Sequence, residues 1–178
     1  MASKISDLEI PTFIIPIKPY WASQLFDSIS SDGSLFGANP NLIWNRENVY
    51  YRSVNPNTET FPARILWYSS TQKGYYRQQQ IFACSYLTDI KIAEAKFLYS
   101  KFKRFGIYSW KEIYKLAKDD SKRPIKVLKF CNTEIFAQGL DFRSINKILL
   151  LNGMKRNTFM SPVKLKMNAF PHIYQKLK

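Results

Sequence analysis

The chain has two cysteines, Cys84 and Cys131, and one histidine, His172, among 178 residues. A zinc site of four cysteines, or of two cysteines and two histidines, cannot be assembled from that set within one chain. A disulfide framework is excluded as well, although a single Cys84–Cys131 bridge is not. A Ser-His-Asp or Cys-His pair would have to use His172, close to the C-terminal end, which suits packing better than catalysis. Glycine is scarce at six, and none falls in G-x-G-x-x-G or a Walker A loop, so those nucleotide cradles are absent. No stretch approaches 18 apolar residues, which excludes a membrane-spanning helix and gives no reason to expect a membrane partner. Met1–Asp7 carries no apolar signal core, and the expected location is the cytoplasm. No metal or cofactor is expected, and no internal repeat is visible.

Aromatics, by contrast, are abundant, with 13 Phe, 11 Tyr and 4 Trp, and 46% of residues are hydrophobic. This composition builds a core in one domain, residues 1–178, with the folded part at about 12–175. Lys plus Arg number 27 against 13 Asp plus Glu, a net charge of +14. Residues 1–89 hold seven basic and seven acidic side chains, and residues 90–178 hold twenty and six. The whole excess therefore sits in the second half, which points to a polyanion facing one side of the fold. A lysine-rich solvated surface is the competing reading.

Thr12–Ile17 reads as a strand, with Pro16 marking an edge or an early end. Pro19–Asp27 reads as a short helix with Pro19 in its first turn. Residues 28–41 are rich in turn formers. Strands follow at Asn48–Arg52, Ala63–Tyr68 and Gln80–Leu87, with a hairpin-like connection at Thr71–Gly74. Apolar spacing predicts a helix over Ile92–Phe105, closed by Gly106 at the left-handed C′ position. Ser109-Trp110-Lys111-Glu112 is a capping box that starts a second helix. Ile125–Phe130 reads as a strand. Asp141 caps a helix to about Leu151 with Gly153 as its stop, and residues 168–178 form a last short helix. Early strands, an interrupting helix pair and a late strand favour the α+β class, with a small, mostly antiparallel β-barrel and flanking helices.

From Val49 to Ile90 the segments V-Y-Y-R, P-A-R-I-L-W-Y-S-S and I-F-A-C-S-Y-L-T-D-I stand in order. They resemble the PUA-like superfamily, in particular ASCH and EVE-type domains. Those carry strands of the form x-E-x-R, P-G-x-R-V-x-I-Y-A-S and V-V-G-x-x-x-V. The later W-K-E-I and F-C-N-T-E-I-F segments are similar to PUA-like domains fused behind GNAT-type acetyltransferases in bacteria. The resemblance implies a pseudobarrel that binds RNA or a modified base, with RNA ahead of DNA, and an acetyltransferase-type protein as another partner. Some ASCH members are thought to hydrolyse RNA or modified nucleosides through G-x-K-x-x-E-x-R. Aligned on Arg52, this chain has Tyr50 in place of Glu, Glu47 in place of Lys and Asn45 in place of Gly. Without those acid/base groups the implied role is binding.

A base-binding pocket needs flat faces for stacking and a few polar groups to read edges. Trp21, Tyr50, Trp67 and Tyr68 are the candidate faces, each with core packing as its alternative. Alternation on the strand puts Ile65 and Trp67 on one face and Leu66 and Tyr68 on the other, so that one of the two rings can line a pocket. Arg52 and Arg64 clamp phosphate or pair with Glu47 or Glu59. Lys18 meets a ligand at the barrel mouth or simply ends a strand. Ser69 and Ser85 offer hydroxyls to a base edge, or end their strands. Glu134 accepts from a base amino group or pairs with a nearby lysine. A separate basic surface of Lys96, Lys101, Lys103, Arg104, Lys111, Lys115, Lys122 and Arg123 would track a phosphate backbone.

Overall fold

Thr12–Ile17 is rich in β-branched and aromatic residues, and it forms strand β1 in the computed structural model of the chain, which describes residues 9–27, 47–75 and 78–178. Helix α1 (Pro19–Ala22) continues directly into a π-helical turn, Ser23–Asp27. Strands β2 (Glu47–Arg52), β3 (Ala63–Ser69) and β4 (Gln80–Glu94) follow. Helix α2 (Ala95–Phe102) ends in a 3-10 turn at Lys103–Phe105, and α3 spans Trp110–Leu116. Strand β5 (Pro124–Asp141), α4 (Phe142–Leu151), β6 (Val163–Lys164) and α5 (Ala169–Leu177) complete the order. The turn-rich segment 28–41 lies outside the described residues. No helix among those described is long and apolar enough to cross a membrane.

The six strands form one sheet in the order β2-β5-β4-β3-β1-β6, with β1 and β3 parallel and every other pair antiparallel. This is the mostly antiparallel α+β arrangement expected. Among the described residues no ladder joins β2 to β6, so the sheet is not closed. Strand β6 pairs only with Phe13 and Ile14, so Pro16 falls where β1 is an edge and its missing N–H costs no ladder bond.

Two strands run longer than the sequence pattern predicts. β4 continues past Leu87 to Glu94, and β5 past Phe130 to Asp141. Ile92–Glu94 pairs with Pro124–Lys126 instead of opening the helix, which begins at Ala95. The ladder is interrupted by register shifts, and these break the period of two that marks a strand. At one of them Asn132 adopts φ 52°, a left-handed conformation that asparagine tolerates.

Alternation sorts the apolar side chains onto two faces, both covered. Phe13, Ile15, Ile65 and Trp67 face a core roofed by Phe26, Leu98 and Ile113 from the α1–π, α2 and α3 segments. Ile14, Leu66 and Tyr68 face a second core formed with Ile145, Leu149, Phe170 and Ile173 of α4 and α5. The helix ends follow local chemistry. Ser109 and Glu112 form the reciprocal capping box, and Asp141 accepts from the Arg143 and Ser144 amides at 2.8 and 3.0 Å. Gly153 turns left-handed at φ 65° after α4. Gly106 does not: its backbone is extended at φ −135°. Its requirement is space, since a Cβ there would stand 2.9 Å from Val49 Cγ2 and 3.3 Å from the Tyr51 ring.

One buried carboxylate ties the sheet to the β2–β3 connection. Glu59 Oε2 accepts from Lys126 Nζ at 2.7 Å and Glu59 Oε1 from Arg52 Nη1 at 2.5 Å. The side chains of Glu59 and Lys126 have no exposed surface. Lys126 also donates to the Pro56 carbonyl at 3.0 Å. Burial lowers the Lys126 pKa, and the Glu59 hydrogen bond and charge oppose that shift. Glu59→Ala leaves Lys126 charged and buried without its carboxylate, and is expected to lower stability by about 3–5 kcal/mol in a denaturant titration. The double change Glu59→Leu with Lys126→Met is expected to be more stable than Glu59→Ala, with Arg52 losing its partner in both; equal instability in the two variants would show that the Lys126–Glu59 pair is not the cause.

Candidate functional site

At the C-terminal end of β1 the chain opens a groove of about 650 Å³. Pro16, Ile17 and Lys18 form one border as β1 passes into α1, and Trp21 of α1 rises beside them. Tyr50, Tyr51, Arg52 and Ser53 enter from the end of β2, and Ser70 from just beyond β3. Tyr108 and α3 residues Glu112, Lys115 and Leu116 form the opposite wall, and Phe159 and Met160 close one end. Lys18 precedes α1 and its carbonyl accepts from the Ala22 amide at 2.9 Å, so the turn that presents Trp21 is fixed by backbone bonds.

The groove is aromatic within and cationic at its rim. Trp21 lies 4.3 Å from the Tyr108 ring at a tilt of 31°, and Tyr108 in turn contacts Tyr50 and Tyr51. Burial pushes the Tyr50 phenol up to about 12, partly opposed by the Arg52 charge. Burial likewise raises Tyr51, with Tyr99 adding to it. It raises Tyr108 well above the ordinary phenol range, with Tyr50, Glu112 and Tyr51 adding to the shift. All three are neutral hydroxyls near pH 7, able to donate. Tyr50 donates to the Pro16 carbonyl at 3.4 Å and Tyr51 to the Leu98 carbonyl at 3.5 Å. The Tyr108 hydroxyl is buried and finds no hydrogen-bond partner among the described residues. Glu112 spends its carboxylate on Ser109, accepting from the amide at 2.7 Å and from Oγ at 2.9 Å. Among the described residues, Lys18, Arg52 and Lys115 outnumber the one carboxylate, Glu112, that lines the groove. Such a groove can stack a flat ring and hold an adjoining anion.

Of the residues the sequence singles out for a pocket, Lys18, Trp21, Tyr50 and Arg52 come together here. Lys115, read from the sequence as part of a separate basic surface, joins them. The others lie elsewhere. Trp67 is 0% exposed, one layer beneath Tyr50, with its ring 5.4 Å away, and its indole N–H donates to Ser85 Oγ at 2.8 Å. Ser85 continues that buried chain to Thr133 at 2.7 Å. Tyr68 packs on Phe159 in the second core, and Ser69 is buried. The two rings of the Trp67–Tyr68 pair are buried, one in each core, because both faces of β3 are covered. Arg64 is buried with its guanidinium 4.3 Å over the Phe170 ring, donating to the Ile10 carbonyl at 3.3 Å. Glu134 takes the Tyr174 hydroxyl at 2.8 Å rather than a lysine. His172 Nδ1 pairs with the Asn152 side chain, a packing role. Both cysteines are free thiols.

The eight cations of the basic surface, Lys96, Lys101, Lys103, Arg104, Lys111, Lys115, Lys122 and Arg123, are all exposed, on α2, α3 and the turns beside them. Sequence reasoning missed Tyr51, Tyr108, Ser53, Ser70 and Met160. Tyr108 had a usable signal: it immediately precedes the Ser109 cap, where an apolar side chain commonly packs inward. No group of three His, Cys, Asp or Glu side chains suited to a metal ion occurs among the described residues.

The fold is similar to that of solved ASCH domains. The sequence matches no family model and no curated protein. Solved structures do match. The crystal structure of ASCH from Zymomonas mobilis aligns with TM-score 0.67 and 12% identity, covering 94% of this chain and 96% of that one. A point mutant of the same protein aligns at 0.66 and 11%, covering 94% and 99%. The N-terminal domain of Staphylothermus marinus McrB aligns at 0.56 and 11%, covering 93% of each.

The phenols give a pH test. Tyr50, Tyr51, Tyr68, Tyr108 and Tyr174 all have raised folded pKa values. The stability they contribute is complete below the ordinary phenol value of about 10 and is lost as pH rises through the folded values. Lys126, with its lowered pKa, acts in the opposite sense, but as one group against five. Stability should fall above pH ~10, with tyrosinate absorbance for these five appearing together with loss of the folded circular dichroism. Ionisation of all tyrosines near pH 10 in the still-folded protein would contradict the packing described.

Proposed function

We propose that this chain is a nucleic-acid-binding module that takes a single-stranded or modified base into the Trp21–Tyr108 groove while the basic surface of α2 and α3 holds the phosphate backbone. The observation that carries the reading is the aromatic groove rimmed by Lys18, Arg52 and Lys115, next to a half of the chain that holds the entire charge excess. A base stacks on Trp21, whose ring is half-buried beside Tyr108. The Ser53 and Ser70 hydroxyls, which donate to the Asn55 and Ile17 carbonyls, keep lone pairs that accept from its edge. Met160, 86% exposed at the mouth, offers a thioether to the ring's outer face. The likeness to ASCH domains supports RNA as the ligand in preference to DNA.

The test is the affinity for single-stranded RNA, duplex RNA and DNA of one length, over a range of salt. Trp21→Ala should weaken the single-stranded ligand by about 1–3 kcal/mol and the duplexes little. Replacing Lys101, Lys103 and Arg104 together by alanine should weaken all three ligands alike and reduce the salt slope by about two to three. Trp67→Ala should cost stability, about 3–5 kcal/mol, through the cavity it leaves. Equal, weak binding of all three ligands that vanishes with salt would mean the charge acts alone, and would sink the groove assignment. Cleavage of the RNA during incubation would favour an ASCH-type hydrolase. Co-purification with an acetyltransferase, without nucleic-acid affinity, would favour a regulatory protein partner.

A further inference from the structure

Helix α3 borders two cavities. It gives Glu112, Lys115 and Leu116 to the groove and its first residue, Trp110, to a second cavity of about 360 Å³. That cavity is lined by Lys96, Tyr99, Ser100, Lys103, Trp110 and Ser121. Its wall is fixed by main-chain bonds: the Lys96 amide donates to the Ser121 carbonyl at 3.0 Å and the Ala95 amide to the Arg123 carbonyl at 3.1 Å. The start of α2 is thereby tied to the loop before β5, and the Lys96 ammonium and Ser121 hydroxyl are set on one frame. Trp110 is half-buried, with the Tyr99 ring 5.4 Å away at a tilt of 48° and the Tyr114 ring 5.7 Å away at 41°. Lys96 and Lys103 form no ion pair with a carboxylate of the described residues, and no carboxylate lines the cavity.

A held aromatic face, two ammonium groups and two hydroxyls together suit a flat ring joined to an anion, which is the chemistry of a nucleotide. An apolar peptide would leave both lysines without a partner. Trp110 and Lys115, which line the two cavities, are five residues apart on one helix, about 7.5 Å along its axis and about 140° round it. A chain of nucleotides joining the cavities would pass round the helix between them.

We propose that this cavity is a second nucleotide subsite, in which Trp110 stacks a base neighbouring the one in the groove and Lys96 and Lys103 hold the phosphate that joins them. The inference rests on the nucleic-acid reading above and extends it from one base to a path around the start of α3.

The experiment compares binding of uridine monophosphate, the uridine dinucleotide and a longer oligouridylate to the full chain and to Trp110→Ala, Trp110→Phe, Lys96→Ala/Lys103→Ala and Trp21→Ala. Wild type should gain affinity from the monophosphate to the longer ligands. Trp110→Ala should lose about five- to hundredfold on the oligouridylate and erase that gain, and Trp110→Phe should keep most of it. The lysine pair should lower oligouridylate affinity more than monophosphate affinity, which carries the test if Trp110→Ala does not fold. Oligouridylate binding that falls with Trp21→Ala but not with Trp110→Ala or the lysine pair overturns this subsite alone. Absence of any oligouridylate binding by wild type overturns the groove reading with it. Polyglutamate binding that depends on Trp110, without oligouridylate binding, would reassign the cavity to an acidic protein partner.

Discussion

A single carboxylate with no access to water holds the groove end of this molecule together. Glu59 stands in the connection between β2 and β3, yet it bonds Arg52 at the end of one strand and Lys126 near the start of another. Two cations against one anion in the interior is a costly arrangement, tolerable only because the geometry is close and the Pro56 carbonyl takes a further donor. The consequence reaches the groove. Arg52 keeps one guanidinium nitrogen committed to Glu59, so its side chain is oriented before a ligand arrives. A free arginine at the same position would bring more rotamer entropy to be lost on binding.

The rest of the groove follows from the same division of labour between frame and surface. The sheet is covered on both faces, so no broad aromatic surface of the kind an open sheet offers is left in its middle. In the groove, flat rings become available at the end of β1, where the chain leaves the ladder, turns through α1 and meets α3. Trp21 is therefore presented by the short helix α1, Tyr108 by the segment just before α3, and Tyr50 and Tyr51 by the last residues of β2. Gly106 contributes by letting the chain before α3 lie against Val49 and Tyr51 without a side chain between.

Much of the fold was legible in the sequence because its cues are local. The Ser109–Glu112 box, the Asp141 cap, the Gly153 stop and the alternation of Ile65, Leu66, Trp67 and Tyr68 need only a few neighbouring residues, and each is present as read. What failed to show depends on distance. Glu59 and Lys126 are 67 residues apart, and neither looks like a core residue in isolation. The full lengths of β4 and β5 were hidden by bulges that break the period. Trp67 and Tyr68 read as pocket residues as long as one face of their strand is taken to be open; the first core, roofed by Phe26, Leu98 and Ile113, buries Trp67, and the second, supplied by α4 and α5 near the end of the chain, buries Tyr68. The candidate site was half legible: Lys18, Trp21, Tyr50 and Arg52 stand in it, while Tyr51 and Tyr108 reach it through tertiary packing alone.

The brevity of β6 has a consequence for behaviour in a crowded solution. A long exposed edge offers a row of unpaired backbone groups to a second copy, and from there to aggregates. Here the last strand is two residues long, Val163–Lys164, and it covers only part of β1. Pro16 removes a donor from the stretch of β1 left uncovered, and the exposed lysines Lys164 and Lys166 flank the approach. An incoming strand would find too few backbone partners to zip onto, and it would have to bring like charge against like. This end of the sheet is poor seed material for fibrils, even in a chain so rich in aromatic residues.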